Sequence, residues 1–296
     1  MAGDEKYGYT DERSFRTLPG GDAPIRFVNG GDMGTGTTAR KLLALAGEQD
    51  PHFVMVGGDI AYANGVFTES RDWTTWFKNW DKYCVTPDGH MVPMVMGIGN
   101  HEVNDFVSDD DRLRSPFYTS YFGRQADDIY YVRKFGDNMV LLMLDSGHLN
   151  AHHGEQTDWL KQQLETHSDM PYRFAAYHIP LYPAHRDYEG AGSKAGRKHW
   201  GPLFDEYGVA IGFEHHDHVL KRSKPIKGNE VAAEGTIYVG DGTFGVSPRD
   251  IDEEPRWYNE VEGSIAHFWV VDVSTDGVDL KAMDATGKMV DSFSIK

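Results

Sequence analysis

Five short apolar stretches of this chain each run into a tight polar turn carrying a side chain that can bind a metal ion. Three come in succession. Ile25-Arg-Phe-Val-Asn29 leads into Gly30-Gly31-Asp32, Phe53-Val-Met-Val56 into Gly57-Gly58-Asp59, and Met91-Val-Pro-Met-Val-Met96 into Gly97-Ile-Gly99-Asn100-His101. Two more follow, with His178 closing the run from Arg173 to Tyr177, and His215-His216-Asp217-His218 closing Ile211-Gly-Phe213. Glycine permits the tight turn, and the carboxyl ends of strands are where open α/β sheets place their ligands. A single Asp after a strand is ordinarily a turn residue or a helix cap. Five such sites in order, supplying carboxylates, an amide and imidazoles, are hard to explain as turns. Hard and borderline donors mixed in this way suit iron, zinc or manganese.

The segments between the runs set the fold class. Leu42, Leu43, Leu45 and Ala46 follow the first turn as a helix, and an aromatic-rich helix runs from about Arg71 to Tyr83. Apolar runs alternating with glycine turns and helices indicate βαβ units and buried strands. Further strands are expected at Ile129 to Phe135 and Met139 to Leu144, then a helix from Glu155 to His167. The strand Arg173 to Tyr177 follows, then a long polar loop, then Val209 to Phe213. From Thr236 the pattern is strand only, at Ile237 to Val239, Ala266 to Val273, Val278 to Ala282 and Met289 to Ile295. The second half is expected to supply a second sheet. The reading is one two-sheet α/β domain over residues 25–296, behind a polar extension of residues 1–24.

Composition excludes several function classes. The chain has 46 Asp and Glu against 29 Lys and Arg, a formal net charge of −17, which argues against a nucleic-acid scaffold. The basic stretches Lys194 to His199 and Lys221 to Lys227 leave room for a small anionic ligand. Cys84 stands alone, so no intrachain disulfide forms. No apolar run approaches the ~18 residues that span a bilayer, so no membrane insertion is expected. The opening Met1-Ala-Gly-Asp-Glu-Lys lacks the apolar core of a signal peptide.

The series Gly31-Asp32-Met-Gly34, Gly58-Asp59-Ile-Ala-Tyr62, Gly99-Asn100-His101-Glu102, His178 and His216-Asp217-His218 resembles the binuclear metallophosphoesterases of the calcineurin-like superfamily. More narrowly, it resembles the purple acid phosphatases. Many relatives carry a ligand His two residues after the first Asp; here that position is Gly34. The purple acid subfamily supplies a Tyr three residues after the second Asp, and Tyr62 stands there. The resemblance implies an α/β fold of four layers, α/β/β/α, with two metal ions. The first ion would take Asp32, Tyr62, His218 and one oxygen of Asp59. The second would take the other Asp59 oxygen, Asn100, His178 and His216. Fe(III) is implied for the first site, where a trivalent ion offsets the cost of ionising a phenol of ordinary pKa ~10. Fe(II), Zn(II) or Mn(II) is implied for the second.

The implied activity is hydrolysis of phosphate esters, monoesters and also diesters, by attack of a metal-bound hydroxide, with small organic phosphates as substrates. Two other readings stand beside it: a divalent-metal phosphodiesterase in which Tyr62 binds no iron, and a catalytically silent domain. His101 resembles the family's outer-shell His that touches phosphate or assists the leaving group; the alternative is an orienting hydrogen bond. His185 sits in the loop where the family carries substrate-facing histidines, at a spacing that does not match cleanly. The chain departs from the pattern at His215, where Gly is usual, at Asp217, and at Leu220-Lys221-Arg222, where Tyr-Glu-Arg is usual. Asp217 is expected to hydrogen-bond an imidazole. Either the site survives these changes with altered tuning, or metal affinity is impaired. His148, His152 and His153 form a trio that could face substrate, whereas His52, His90, His167, His199 and His267 read as surface or core residues. Asp109 to Asp111 and Asp250 to Glu254 read as solvated charge runs. Trp73, Trp76, Phe77 and Trp80 read as core. The resemblance also implies a secreted or periplasmic location, and likens Arg13 to Pro19 to the end of a preceding β-sandwich.

Overall fold

A computed structural model of the chain describes residues 3–6, 8–9, 12–104, 111–123, 129–240, 242–253 and 255–296. A two-residue strand pair, β1 (Gly3–Asp4) and β2 (Gly8–Tyr9), comes first. The βα alternation follows as β3 (Ile25–Gly30), α1 (Thr37–Glu48), β4 (Phe53–Gly57), α2 (Ser70–Tyr83) and β5 (Met94–Gly97). Next come α3 (Asp111–Arg114), α4 (Pro116–Tyr121), β6 (Tyr131–Phe135), β7 (Met139–Met143), α5 (Glu155–Thr166) and β8 (Tyr172–Ala176). Then α6 (Ala191–His199), α7 (Gly201–Tyr207) and β9 (Ile211–Phe213) precede an all-strand remainder. That remainder is β10 (Leu220–Ser223), β11 (Ile226–Lys227), β12 (Glu230–Val231), β13 (Ile237–Gly240), β14 (Asn259–Gly263), β15 (His267–Ser274), β16 (Gly277–Asp284) and β17 (Met289–Ile295). Asp109, Asp110 and Glu254 of the acidic runs lie outside the described residues, and Asp111 opens α3.

Two sheets carry the molecule, one ordered β17-β16-β15-β3-β4-β5 and the other β14-β10-β13-β9-β8-β7-β6. Strict alternation assigns each strand residue to one of two cores. Phe27, Phe53 and Met55 face the second sheet's Leu141, Phe174 and Phe213, while Val28, Val54 and Val56 face Leu42, Leu43, Trp73 and Trp76 of α1 and α2. On the far side, Leu142 and Ala175 pack against Leu160 and Leu164 of α5, and Trp200 and Phe204 at α7. The layers are therefore α/β/β/α, as the resemblance implies. Among the described residues no helix is long and apolar enough to cross a membrane.

Two expectations are corrected. The second half does supply the second sheet, through β8, β9, β10, β13 and β14, but the last three strands do not join it; β15 pairs antiparallel with β3, Trp269 opposite Asn29 and Val273 opposite Ile25, and completes the first. Both faces of β15 are apolar. Phe268 and Val270 pack on the helix side, and Trp269, Val271 and Val273 on the sheet side, so this strand needs a central place. The long polar loop after Tyr177 contains α6 and α7. Its glycines mask the helical period because one is there for close packing: a Cβ on Gly196 would lie 2.5 Å from Leu181 Cδ1.

The basic stretches are also largely spent on structure. Arg197 is buried and donates to the carbonyls of Leu181 and Tyr188, both at 2.6 Å, and Lys194 pairs with Glu189 at 3.0 Å. Lys221 is buried against Glu214.

Behind the second sheet His152 stacks on Trp200, ring centroids 4.5 Å apart. Burial, aided by His199 and His153, pushes its imidazole pKa down to about 4. An unfolded His takes its proton near pH ~6.5, so the native state loses ground as pH falls through this window, by up to ~1.4 kcal/mol per unit. His152→Phe keeps the stack and removes the titration. Urea unfolding from pH 7 to 5 should then show a loss smaller than wild type by about 2 kcal/mol; an unchanged loss contradicts the assignment.

Candidate metal centre

Because β3, β4 and β5 run parallel, as do β7, β8, β9 and β13, every metal-capable turn of the sequence emerges on the same edge. The first two turns are laced together, with the N–H groups of Asp32, Met33 and Gly34 donating to the carbonyls of Gly58, Asp59 and Ile60 at 2.9–3.1 Å. Glu102 joins the third: its buried carboxyl accepts the N–H groups of Asp59 at 2.7 Å, Ile60 at 2.8 Å and Gly99 at 2.9 Å. Burial first, then the charge of Asp59, pushes this carboxyl up to about 8, against the pull of the Ile60 and Gly99 N–H groups.

The backbone at these turns is unusual. Asp32 (φ 56°), Asp59 (51°), Tyr62 (59°), His216 (77°) and His218 (60°) all occupy the left-handed region. Residues other than glycine hold it at a cost of order 1–3 kcal/mol each, and such strain clusters where side chains must be aimed. Five of the seven ligand positions implied by the resemblance share this conformation.

Their side chains converge. Single donor atoms of Asp59, His178 and His216 lie within 4.8 Å of one another, and so do those of Asp32, Asp59 and His218. Asp59 belongs to both groups. His178 Nε2 is 3.1 Å from Asn100 Oδ1, 3.1 Å from His216 Nδ1 and 3.3 Å from Asp59 Oδ2. His218 Nε2 is 2.9 Å from Asp32 Oδ1, and the Tyr62 hydroxyl is 3.4 Å from both atoms. His178 Nδ1–H donates to the Gly57 carbonyl at 3.0 Å, so Nε2 is the ring nitrogen that faces the cluster.

Electrostatics favours a cation here. Asp32 and Asp59 are buried beside each other. Burial alone would raise both carboxyls; for Asp32 the net shift is upward, while for Asp59 the adjacent His178 outweighs burial and holds it low. Burial would lower His178, yet Asp59 and Asp32 overcome it and raise the imidazole to about 10. The carboxylates thus draw positive charge to the point between them. Burial, then Asp32 and Asp59, pushes the Tyr62 phenol well above its usual range, so a phenolate there needs a strongly charged neighbour. Donors of this chemistry, in two groups that share Asp59, could hold metal ions.

The remaining candidates sort by position. His101 stands at the mouth: its ring lies 4.2 Å from that of Tyr62, Nδ1 meets Asn64 Oδ1, and Nε2 is 3.9 Å from Asp59 Oδ2. His185 donates from Nδ1 to the Asp250 carbonyl at 2.8 Å. With Arg186, Ile179, Ser193 and His216 it lines a cavity of about 490 Å³. Asp217 does not meet an imidazole as expected. Its Oδ2 accepts the N–H groups of His185 (2.8 Å) and Arg186 (3.1 Å), and Oδ1 is 3.3 Å from Arg186 Nε, so it anchors the cavity loop. Of the trio, His148 lies beside the site, ring centroid 5.5 Å from that of His178, while His152 packs on Trp200 and His153 faces His199. His267 is a core residue bonded to Thr243 and the Gly240 carbonyl.

His215 is accommodated by two glycines. Its ring lies between the first two turns, donating to the Tyr177 carbonyl at 2.8 Å, and a Cβ on Gly57 or Gly31 would fall 1.9 or 2.4 Å from it. The extra side chain fills the junction between the sheets without displacing His216 from the cluster. Sequence reasoning quoted Glu102 within the third motif without giving it a role, and missed Glu214. Glu102 gathers N–H groups from two turns, and Glu214 takes one N–H, a hydroxyl and an ammonium, contacts that no spacing announces.

The calcineurin-like phosphoesterase model matches residues 27–220. The chain belongs to this family. Among curated relatives, Arabidopsis thaliana has a protein named Probable purple acid phosphatase 20 that is 26% identical over 280 residues, covering 88% of this chain and 62% of the relative. The chain thus spans less than two thirds of that protein. A purple acid phosphatase from yellow lupin (Lupinus luteus) seeds shares the fold at TM-score 0.78 and 21% identity, over 94% of this chain and 55% of that one. So does a Plasmodium protein described as the anchor in the inner membrane complex, at TM-score 0.70 and 15% identity, over 92% and 89% of the two chains. Calcineurin-like architecture alone therefore leaves function to the site.

Gly57→Ala should destabilise by about 3 kcal/mol, at the upper end of overpacking costs, because its methyl collides with His215. In the double variant with His215→Ala the loss should be at least about 1 kcal/mol smaller than the sum of the two single losses. Urea unfolding of the four proteins checks this; strict additivity contradicts the collision.

Proposed function

We propose that the chain is a metal-dependent phosphoric ester hydrolase of purple acid phosphatase type, acting on small phosphate monoesters and, where the mouth admits them, diesters. The observation that carries the reading is the convergence of Asp32, Asp59, His178, His216 and His218 in two groups that share Asp59, with the Tyr62 hydroxyl beside Asp32 and His218 and Asn100 Oδ1 beside His178. In this reading Asp32, Tyr62, His218 and Asp59 hold Fe(III), and Asp59, Asn100, His178 and His216 hold Fe(II), Zn(II) or Mn(II). When bound, such a pair lowers the pKa of water, supplies a nucleophile at moderate pH and neutralises charge on the phosphoryl oxygens.

The chain's own residues do the rest. Asp59 is aimed by the His101 N–H, which donates to its Oδ1 at 2.8 Å, and Asp32 by the His216 N–H, at 2.9 Å to Oδ2. His101 is placed by Asn64 at the mouth, where its Nε2 reaches a phosphoryl or leaving-group oxygen and can give it a proton. His185 and Arg186 border the cavity beside His216 and offer donors to the organic part of an ester or to its further anionic groups. A silent domain would have no use for five donors held in left-handed backbone, which favours the enzyme reading. An extracytoplasmic location belongs to this proposal and rests on the resemblance alone.

Hydrolysis of p-nitrophenyl phosphate tests the reading. The wild-type chain loaded with metal should turn it over, lose activity on chelation and regain it on reloading. Asp59→Ala removes the donor common to both pockets and should lower kcat/KM by about a thousandfold or more, with the circular dichroism of a folded protein. Full activity in Asp59→Ala, or in chelated protein, contradicts it.

A further inference from the structure

Beneath the histidine-bearing turns lies an ion pair that the metal donors do not use. Glu214 follows β9, Lys221 sits on β10, and both side chains are fully buried, with Lys221 Nζ donating to Glu214 Oε2. Glu214 Oε1 accepts the Tyr177 hydroxyl at 2.8 Å and the Leu181 N–H at 2.6 Å, and Lys221 Nζ also donates to the Tyr182 carbonyl. Each contact borders a candidate ligand. Tyr177 precedes His178, with Leu181 and Tyr182 closing the same turn, Glu214 stands two residues before His216, and Lys221 three after His218.

Burying two charges is costly and persists only when the leftover donors and acceptors are satisfied. Here the Tyr177 hydroxyl, the Leu181 N–H and the Tyr182 carbonyl, all of the His178 loop, are among the satisfying groups. We infer that Glu214 and Lys221 form a clamp that fastens the His178 loop to the His216–His218 turn at ligand spacing, as positioning residues for the second metal pocket. This rests on the two-metal reading proposed above. The clamp bears chiefly on the second pocket, which takes both His178 and His216 from the fastened segments; the first takes only His218 from them, and its Asp32, Asp59 and Tyr62 lie on turns held by Glu102 and by their own lacing.

The test uses the full chain carrying Glu214→Leu and Lys221→Met together, since either change alone strands a buried charge and endangers folding. Wild type and variant are loaded with Mn(II) or Zn(II), titrated with chelator, and followed by elemental analysis, urea unfolding and amide exchange at Leu181. The variant should unfold within roughly 0.5 M urea of wild type. It should hold its more weakly bound ion about 10- to 100-fold less tightly while keeping the other, and exchange the Leu181 amide about tenfold faster. The pair Glu214→Gln with Lys221→Gln keeps hydrogen bonds to Tyr177, Leu181 and Tyr182, and should restore affinity to within about threefold. Unchanged affinity for both ions in a folded Leu/Met variant, or unchanged Leu181 exchange, overturns the clamp. A wild-type chain that takes up no metal overturns the two-metal reading instead, and Leu181 exchange then decides the clamp alone.

Discussion

Two carboxylates, Asp32 and Asp59, are buried side by side where the parallel strands of both sheets end, and the site is organised around the charge they carry. Among the described residues neither pairs with a Lys or Arg; imidazoles and backbone N–H groups surround them. Water cannot solvate them at that depth, so the surroundings must supply positive charge or the acids take up protons. His178, lifted far above an ordinary imidazole by this pair, registers the strength of that field. Metal cations answer it with more charge than a proton brings, and the oxygen and nitrogen atoms needed to hold them already face inward.

Holding the acids there has costs that are visible elsewhere. Five donors sit in left-handed backbone, which the lacing between the first two turns and the three N–H groups gathered by Glu102 keep in place. Gly31 and Gly57 leave room for the His215 ring, so the junction between the sheets is filled by a side chain and the turns cannot collapse toward each other. The Glu214–Lys221 pair extends the same logic one layer deeper. A Plasmodium protein described as an anchor shares this fold, so architecture alone assigns no function, and the donors held in left-handed backbone are what make this chain a candidate enzyme.

Much of this was legible in the amino-acid order. Glycine-terminated apolar runs mark β3, β4 and β5 because a buried parallel strand must be apolar on both faces and must turn sharply at its end. The coupling of Gly34 with Tyr62 was readable only through the resemblance to the purple acid phosphatases; in the structure the Tyr62 hydroxyl stands beside Asp32 and His218. The helices α6 and α7 were hidden, since glycines that serve close packing against Leu181 look like loop residues. The sheet membership of β15 was equally hidden, because pairing with β3 is a contact between Val273 and Ile25, far apart in the chain. Asp217 looked like an imidazole partner from its place between two histidines, yet its turn sends the carboxylate to the His185 and Arg186 N–H groups.

The most direct measurement is a visible absorption spectrum of protein purified without chelator, with elemental analysis of the same sample, for wild type and Tyr62→Phe. The account predicts about two metal ions per chain, one of them iron, and a broad yellow-green band that Tyr62→Phe abolishes, since a phenolate on a trivalent ion is what permits ionisation at that buried site. Iron-loaded wild type without the band, or a band that survives in Tyr62→Phe, would contradict it.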